Sequence, residues 1–427
     1  MSLSISVLYI HPVGTFGGAS RSLMEVIRAF PAGSVRPHVI TQKGTVADLL
    51  VEEDIPVIST EGISQFDCTK YGHYRGLRWL IVLRELYFLI FSFIAVLKAR
   101  WRWKDIDIVH VNEITALVPL VLAKLLFKKP LVVHVRSVQQ CDGIPLRRRF
   151  VQFVLKHFSN YVVAIDQTVR KSLPADISVE IVHNGCTVGQ GLEASDPVVK
   201  YIRALPADGV KVAMIGNLLP MKGVYEFVEA AKLCWKRGVR AHFIIVGENA
   251  RRIDGLWGWL ICKFGFAHDV RADLERFVAA NGLEQRVHLV GATRNIRPVY
   301  NSIDIVCFPS HLNAVGRPAL EAAFSRVPSI VAMNKPCDDT FVDGETGICI
   351  ESRNPTFLAD AIEHLSAHPE ERKRMGEMAY KQALQNFDIA KTSKQMLCIY
   401  ERLMPQSDNW IGQSSKVQNK PGPRPGA

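Results

Sequence analysis

Short apolar runs recur along this chain, and most are followed by a polar or glycine-bearing loop and then by apolar residues at helical spacing. Residues 4 to 10 are such a run; His11-Pro-Val-Gly-Thr-Phe-Gly-Gly-Ala-Ser follows, and Leu23, Val26, Ile27 and Phe30 then mark one helix face. The same rhythm predicts strands at 37–41, 55–59, 104–112, 130–137, 161–165 and 179–183, with helices Leu77–Ala99 and Ile114–Phe127 between them. Runs apolar throughout, rather than alternating, belong to parallel strands covered on both faces. After a linker from Cys186 to about Val198 the rhythm begins again. Strands are expected from Val210, Ala241, Arg286, Ile303 and Val327, a hairpin over 340–350, and helices at Val224–Trp235, Val270–Ala280, 355–366, 370–386 and Ile389–Leu403. The pattern therefore predicts two doubly wound, Rossmann-like α/β domains, over residues 1–190 and 198–386. A last helix occupies 387–405, and the Pro-, Gly-, Ser- and Lys-rich tail 406–427 reads as disordered.

Composition narrows the function classes. The nine cysteines are scattered, with no C-x-x-C pair and no zinc spacing, which fits a reducing cytoplasm. The first residues read as a strand, without the basic start of a signal peptide. A net charge of +11 implies an anionic partner, either nucleotide phosphates or an acidic lipid surface. Nucleic acid is set aside because no binding motif accompanies the charge.

The Leu77–Ala99 helix is nearly long enough to cross a bilayer, but Arg84 and Glu85 lie inside it. It reads as a helix packed on the sheet with one side. Its other side either joins the core or lies in a membrane interface, and Trp79, Tyr87, Trp101 and Trp103 with six flanking bases favour the interface. Asp105-x-Asp107 has the look of a metal pair, yet at a strand's start it reads as a cap.

Three stretches carry candidate chemistry. In Cys307-Phe-Pro-Ser-His-Leu-Asn-Ala-Val-Gly-Arg-Pro-Ala-Leu-Glu a strand feeds a loop containing Asn313 and Gly316, and Pro318 then opens a helix. That junction suits a phosphate, and Glu321, one turn in, suits ribose hydroxyls. In Gly216-Asn-Leu-Leu-Pro-Met-Lys-Gly, Lys222 stands ready to hold a departing pyrophosphate. In the first domain Gly17 and Gly18 let a ligand approach the backbone, and His134 and Arg136 share one face at a strand's C-terminal end.

Together these stretches resemble the retaining glycosyltransferases of family 4, whose GT-B fold has two Rossmann-like domains facing across a cleft. The resemblance covers about residues 4 to 404. In the family, two glutamates eight positions apart flank Gly-Phe-Gly-x-x-x-Leu; here Glu321 holds the second place and Asn313 the first. The family's Gly-Arg-Leu becomes Gly216-Asn217-Leu218, with Lys222 kept. The family's catalytic-cleft histidine falls on Arg136, with His134 two residues earlier. The resemblance implies a nucleotide-diphosphate sugar donor held by Gly17, Gly18, Asn217, Lys222, Asn313, Gly316 and Glu321, and catalysis by His134, Arg136, Lys222 and Glu321. It implies no cofactor and no metal, a glycan or lipid-linked acceptor brought near by the interface helix, and a last helix crossing back to the first domain. The expected place is the inner face of the plasma membrane, in cell-surface polysaccharide synthesis. Two alternatives stay open, a non-catalytic sugar-binding or scaffold protein, motivated by Asn217 and Asn313, and a nucleotide-sugar epimerase.

Overall fold

A computed structural model describes residues 4–67, 69, 80–139, 145–187, 196–249, 269–293 and 295–405, with backbone only for 145–147. Two parallel sheets organise the chain. The first has the order β3-β2-β1-β4-β5-β6-β7, built from β1 (Ile5–His11), β2 (Val35–Gln42), β3 (Val57–Thr60), β4 (Ile108–Val111), β5 (Leu131–Val135), β6 (Tyr161–Ala164) and β7 (Glu180–Ile181). The second runs β10-β9-β8-β11-β12-β13, built from β8 (Val210–Ile215), β9 (Ala241–Val246), β10 (Val287–Gly291), β11 (Ile305–Phe308), β12 (Ser329–Ala332) and β13 (Gly347–Ile350). Every strand pair in both sheets is parallel.

Helices cover both faces of each sheet, which is why the strands are apolar throughout rather than alternating. In the first domain, Leu8, Ile10, Val109, Val111, Val133 and Val135 face one core, while Val7, Tyr9, Ile108, Val132 and Val163 face the other. The helix Ile389–Leu403 joins that second core through Met396, Ile399 and Tyr400, and packs against the helix Gly18–Ala29. The chain's last helix thus lies on the first domain. In each sheet the strand order turns back on itself once, between β1 and β4 and between β8 and β11. A crevice opens at the carboxyl ends of such strand pairs, and ligands of doubly wound sheets collect there.

Several boundaries differ from the sequence expectation. The long apolar helix runs Ile81–Arg102, so Trp101 is helical, and Trp79 lies outside the described residues. Trp103 is buried against His38, with ring centroids 4.9 Å apart, and does not belong to any outer surface. As the residue after the helix it turns back under the sheet, whereas Trp101 stays 68% exposed. The 340–350 segment is a turn leading into β13, because the Asp343 carboxylate accepts from the Cys349 amide at 2.7 Å and takes the place of a second strand. Asp107 accepts from the Ser6 amide at 2.9 Å at the start of β4, a cap at the end of the sheet away from the crevice. Residues 250–268, which carry Trp257 and Trp259, lie outside the described residues.

Candidate functional site

The second domain's crevice is shaped by two glycines that packing demands. Gly223 ends the short helical turn Pro220–Lys222 at φ +80°, and a Cβ there would stand 2.0 Å from the Pro309 carbonyl oxygen. A Cβ on Gly316 would stand 2.2 Å from the Phe308 ring. These close approaches bring the loop after β8 and the loop after β11 together over Phe308, with the Ser310 hydroxyl and the His311 amide both donating to the Met221 carbonyl. Lys222 places its ammonium 5.0 Å from the centre of the same ring. Burial lowers its pKa, and among the described residues no carboxylate or other acceptor bonds its Nζ. A half-buried cation resting on an aromatic face with donors unspent is a site for an anion.

Asn313 has a backbone role. Its φ is +49°, a left-handed conformation that asparagine tolerates better than most residues, and its side-chain oxygen accepts from the Asn334 amide at 2.7 Å. Asn217 is exposed at the carboxyl end of β8. His311 and Glu226, not singled out in the sequence, pair at 2.8 Å beside Lys222. Nothing in the local pattern marked them, because the pair forms only when the loop after β11 meets the first turn of the helix Val224–Lys236, 85 residues earlier.

Glu321 sits one turn into the helix Arg317–Ala323, in a ring of alternating charges that joins the two domains. Its Oε1 receives Arg21 at 3.1 Å and Arg317 at 2.6 Å, and its Oε2 receives the Tyr300 hydroxyl at 2.8 Å. Glu25 closes the ring, accepting from Arg21 at 3.0 Å and from Arg317. Arg317 also donates to the Ser22 hydroxyl at 2.7 Å and toward the Gly185 carbonyl at 3.4 Å. Burial alone would lower the Arg317 pKa, but the carboxylates of Glu321 and Glu25 outweigh it and hold the guanidinium charged. Burial and the Glu321 charge raise Tyr300 well above the ordinary phenol range. The cavity these residues line holds about 30 Å³, far below the roughly 300 Å³ at which ligand pockets begin. The helix itself has only seven residues, so the charge at this junction comes from side chains rather than from its dipole.

At the first domain's crevice, buried groups from β1, β4 and β5 converge. His11 ends β1, with Nε2 at 2.9 Å from the Ser20 hydroxyl and Nδ1 at 2.9 Å from the Asn112 amide. Arg136 is spent on protein acceptors, the Asn112 oxygen at 3.0 and 2.8 Å and the Asn184 oxygen at 2.6 Å, and it leans 3.4 Å from His134 Nδ1. His134 stacks against His110, which shares a 2.6 Å hydrogen bond with Tyr400. Gly17 and Gly18 open the neighbouring helix, and a Cβ on either would meet nothing within 4 Å. Neither glycine has positive φ. Nothing among the described residues requires glycine there, in contrast with Gly223 and Gly316.

Burial, helped by the Arg136 charge, lowers His11 and His110 to about 3 and His134 well below 6.5. These three imidazoles are neutral in the fold. Between about pH 6.5 and 3 the unfolded chain takes up protons that the folded chain refuses, so stability falls as pH drops through that window, by about 1.4 kcal/mol per pH unit for each imidazole. Glu113 opposes this: burial raises it to about 7, so the folded chain keeps a proton that the unfolded chain releases above 4.5. Asp166, raised to about 6 by burial, opposes it too, while His288, lowered to about 4 by burial, adds a fourth imidazole; the four imidazoles outweigh the two carboxyls. The urea midpoint is expected to fall on acidification from about pH 6.5 to 5, and a level or rising midpoint would contradict neutral buried imidazoles.

The structure thus brings Lys222 and Gly316 together on Phe308, and His134 and Arg136 together beneath the first crevice. It sets Glu321 in the interdomain ring with Arg21 of the helix that Gly17 and Gly18 open. Arg317 is committed to the ring and Arg294 lies outside the described residues, so neither is placed to supply the cation that Asn217 lacks.

Comparison with known proteins follows the same two-domain division. Residues 16–189 match the family described as Glycosyltransferase Family 4, and residues 200–382 the family described as Glycosyl transferases group 1. An alpha-D-kanosaminyltransferase of Streptomyces kanamyceticus is 27% identical over 194 residues, 45% of each chain. The chain spans about half the length of the first such curated relatives. The capsular polysaccharide biosynthesis glycosyltransferase CapM of Staphylococcus aureus is 18% identical over 302 residues, 67% of this chain and 74% of that one. The crystal structure of Anabaena HepE in complex with UDP and glucose superposes with a TM-score of 0.71 at 19% identity, covering 93% of this chain and 99% of that one.

Proposed function

Because the chain belongs to family 4 of the GT-B glycosyltransferases, we propose that it moves a sugar from a nucleotide-diphosphate donor to a glycan, with retention of the anomeric configuration. The observation that carries this reading is Lys222, a desolvated ammonium with unspent donors at the turning point of the second sheet. Such a charge costs free energy in the free protein and is relieved by an anion. The anion assigned to it is the donor's diphosphate.

In the proposed reaction the acceptor hydroxyl approaches the anomeric carbon from the face on which the diphosphate leaves. The carbon–oxygen bond to the acceptor forms as the bond to the phosphate oxygen breaks. That oxygen takes the hydroxyl proton, so no side chain need act as a nucleophile. Lys222 then acts by stabilising negative charge that is larger in the transition state than in the ground state, which is the condition for acceleration. The acceptor lies against the first domain, near the His11 loop, and Arg136, with His134 beside it, holds that loop's floor through Asn112. A polysaccharide role takes support from CapM, and a UDP-linked hexose from HepE. A lipid-linked acceptor and a place at the inner face of the plasma membrane take support from the exposed apolar helix Ile81–Arg102.

A second reading is favoured by the ring. With both Glu321 oxygens engaged and about 30 Å³ around them, a protein that holds a glycan without turning over a donor would have the same geometry. Incubation with a panel of uridine, guanosine and adenosine diphosphate sugars, with acceptor membranes present, separates the two. Release of nucleoside diphosphate with at least one donor is expected, and folded protein that neither binds nor consumes any donor would support the non-catalytic reading.

The glycine pair supplies a sharper check. Gly17→Ala and Gly18→Ala are expected to leave the melting temperature within a degree or two, since the added methyl meets no protein atom. Each is expected to raise KM for the donor or acceptor about tenfold, by occupying space meant for a ligand, and unchanged kinetics would place the ligand elsewhere.

A further inference from the structure

We infer that one face of the first domain is a docking surface for an anionic lipid bilayer, formed by three neighbouring helices rather than by one. This rests on the proposed reading only in naming what the surface serves, the delivery of a lipid-borne acceptor. The helix Ile81–Arg102 buries Ser92, Ala95, Val96 and Ala99 against the sheet and turns the opposite side outward. Along that outer side Leu83, Tyr87, Ile90 and Ile94 follow at spacings of three and four, with exposures of 63, 57, 59 and 41%. Such spacing makes a continuous stripe on a helix, and Phe93 widens it. The helix Leu117–Phe127 packs beside it and exposes Leu125, and the helix Pro145–Phe158 packs beside that and exposes Phe150 and Phe153. Arg100 ties the first two helices together by donating to the Leu126 carbonyl at 3.2 Å.

Charge decides what covers this face. Across the three helices the sequence places nine lysines and arginines against a single acid, Glu85. That acid is buried and already engaged, accepting from the Gln65 amide at 2.6 Å and from Arg84 at 3.0 Å. Arg84 is paired with Glu85 and Lys156 with Asp176, but the balance of the face stays basic, so a second copy would set like charge against like and self-association through this face is opposed. An anionic bilayer offers both hydrocarbon for the stripe and phosphate for the bases. No helix among the described residues is long and apolar enough to cross a membrane, and the inner side of the stripe helix is held by the sheet. The geometry therefore allows shallow insertion only.

Orientation follows from connectivity. The start of the stripe helix lies two hydrogen bonds from the candidate site, since Glu85 holds Gln65 and the Gln65 amide group donates to the Pro12 carbonyl in the loop after β1 at 3.3 Å. Phe150, in the first turns of the third helix, meets Phe66 edge-on at 5.3 Å in the same region. Docking thus sets the mouth of the first crevice beside the bilayer, where the hydroxyl of a lipid-borne glycan would lie.

Co-sedimentation of the full chain with vesicles of phosphatidylglycerol and phosphatidylcholine, or of phosphatidylcholine alone, tests the inference. Binding is expected only to the mixed vesicles and should weaken with added salt. The variants Leu83→Glu with Ile90→Glu, and separately Arg148→Glu with Arg149→Glu, all at exposed positions, should each lose at least tenfold in vesicle partitioning. Nucleotide-sugar binding, measured by calorimetry on the same preparations, should be unchanged. Equal binding to both vesicle types, or variants that partition like the parent, would overturn the proposal. So would a dimer in light scattering that the Leu83→Glu, Ile90→Glu variant dissociates, since that would give the face to a second copy. Vesicle binding without nucleotide-sugar binding would instead leave this surface standing and remove the transferase reading.

Discussion

Lys222→Ala is expected to lower sugar transfer by two to three orders of magnitude, about 3 to 4 kcal/mol of transition-state stabilisation, without weakening the fold. The two halves of that expectation have one cause. In the free protein the ammonium is partly removed from water and bonded to no described acceptor, so it is a cost that its removal relieves. Once a diphosphate binds, the same poorly solvated charge acts at short range in a medium that screens weakly. Loss should appear chiefly in kcat, because the charge on the leaving oxygens grows as the bond breaks. Lys222→Met, which keeps the stem lying on Phe308, should match alanine in rate and equal or exceed the parent in thermal stability. If either variant transfers sugar at the parent rate, the diphosphate is not held here. If both unfold, Lys222 is instead a structural residue.

Arg317→Ala should have the largest effect on stability, about 3 to 5 kcal/mol, because it leaves two buried carboxylates to share the more exposed Arg21 alone. An exposed ion pair would cost less than about 1 kcal/mol, so the measurement discriminates. Neutralising the stranded groups with Glu25→Gln and Glu321→Gln in the same chain is expected to recover most of the loss, since the penalty comes from unpaired charge. The ring also ties the helix Gly18–Ala29 of the first domain to the helix Arg317–Ala323 of the second. Its loss should therefore loosen the domains, seen as a larger radius of gyration in small-angle scattering. A nucleotide needing Glu321 would have to part this ring first, so the variant that folds and opens should bind donor no more weakly than the parent. Small stability loss and an unchanged scattering radius would mean that apolar contacts, not the ring, hold the domains together.

The alternation of strand and helix, the two-domain division and the loops that end at a crevice were legible in the sequence. Those features are local: a strand buried on both faces must be apolar throughout, a helix must repeat its apolar residues every three to four, and a close chain crossing must carry glycine. Lys222 and Gly316 could be singled out for that reason, each lying within a few residues of the turn that positions it. Some limits of such reasoning are equally local. Trp101 and Trp103 sit two positions apart with the same flanking bases, yet one lies in the last helical turn facing outward and the other just beyond it, turned under the sheet. Asn313 looked like a lost carboxylate, whereas its left-handed backbone gives asparagine a reason to be there that composition does not reveal.

What only the tertiary structure decided is who stands opposite whom. Arg317 meets Glu25 across 292 residues of chain, and Tyr400 reaches His110 across 290, so neither pairing leaves a trace in any window of sequence. Periodicity tells which face of an element is covered and leaves its covering unnamed, because side-chain charges act over a few ångströms of space and not along the backbone. For Glu321 that distinction changes the chemistry, turning a carboxylate that spacing would offer to a ribose into one whose two oxygens are already held by two arginines and a tyrosine.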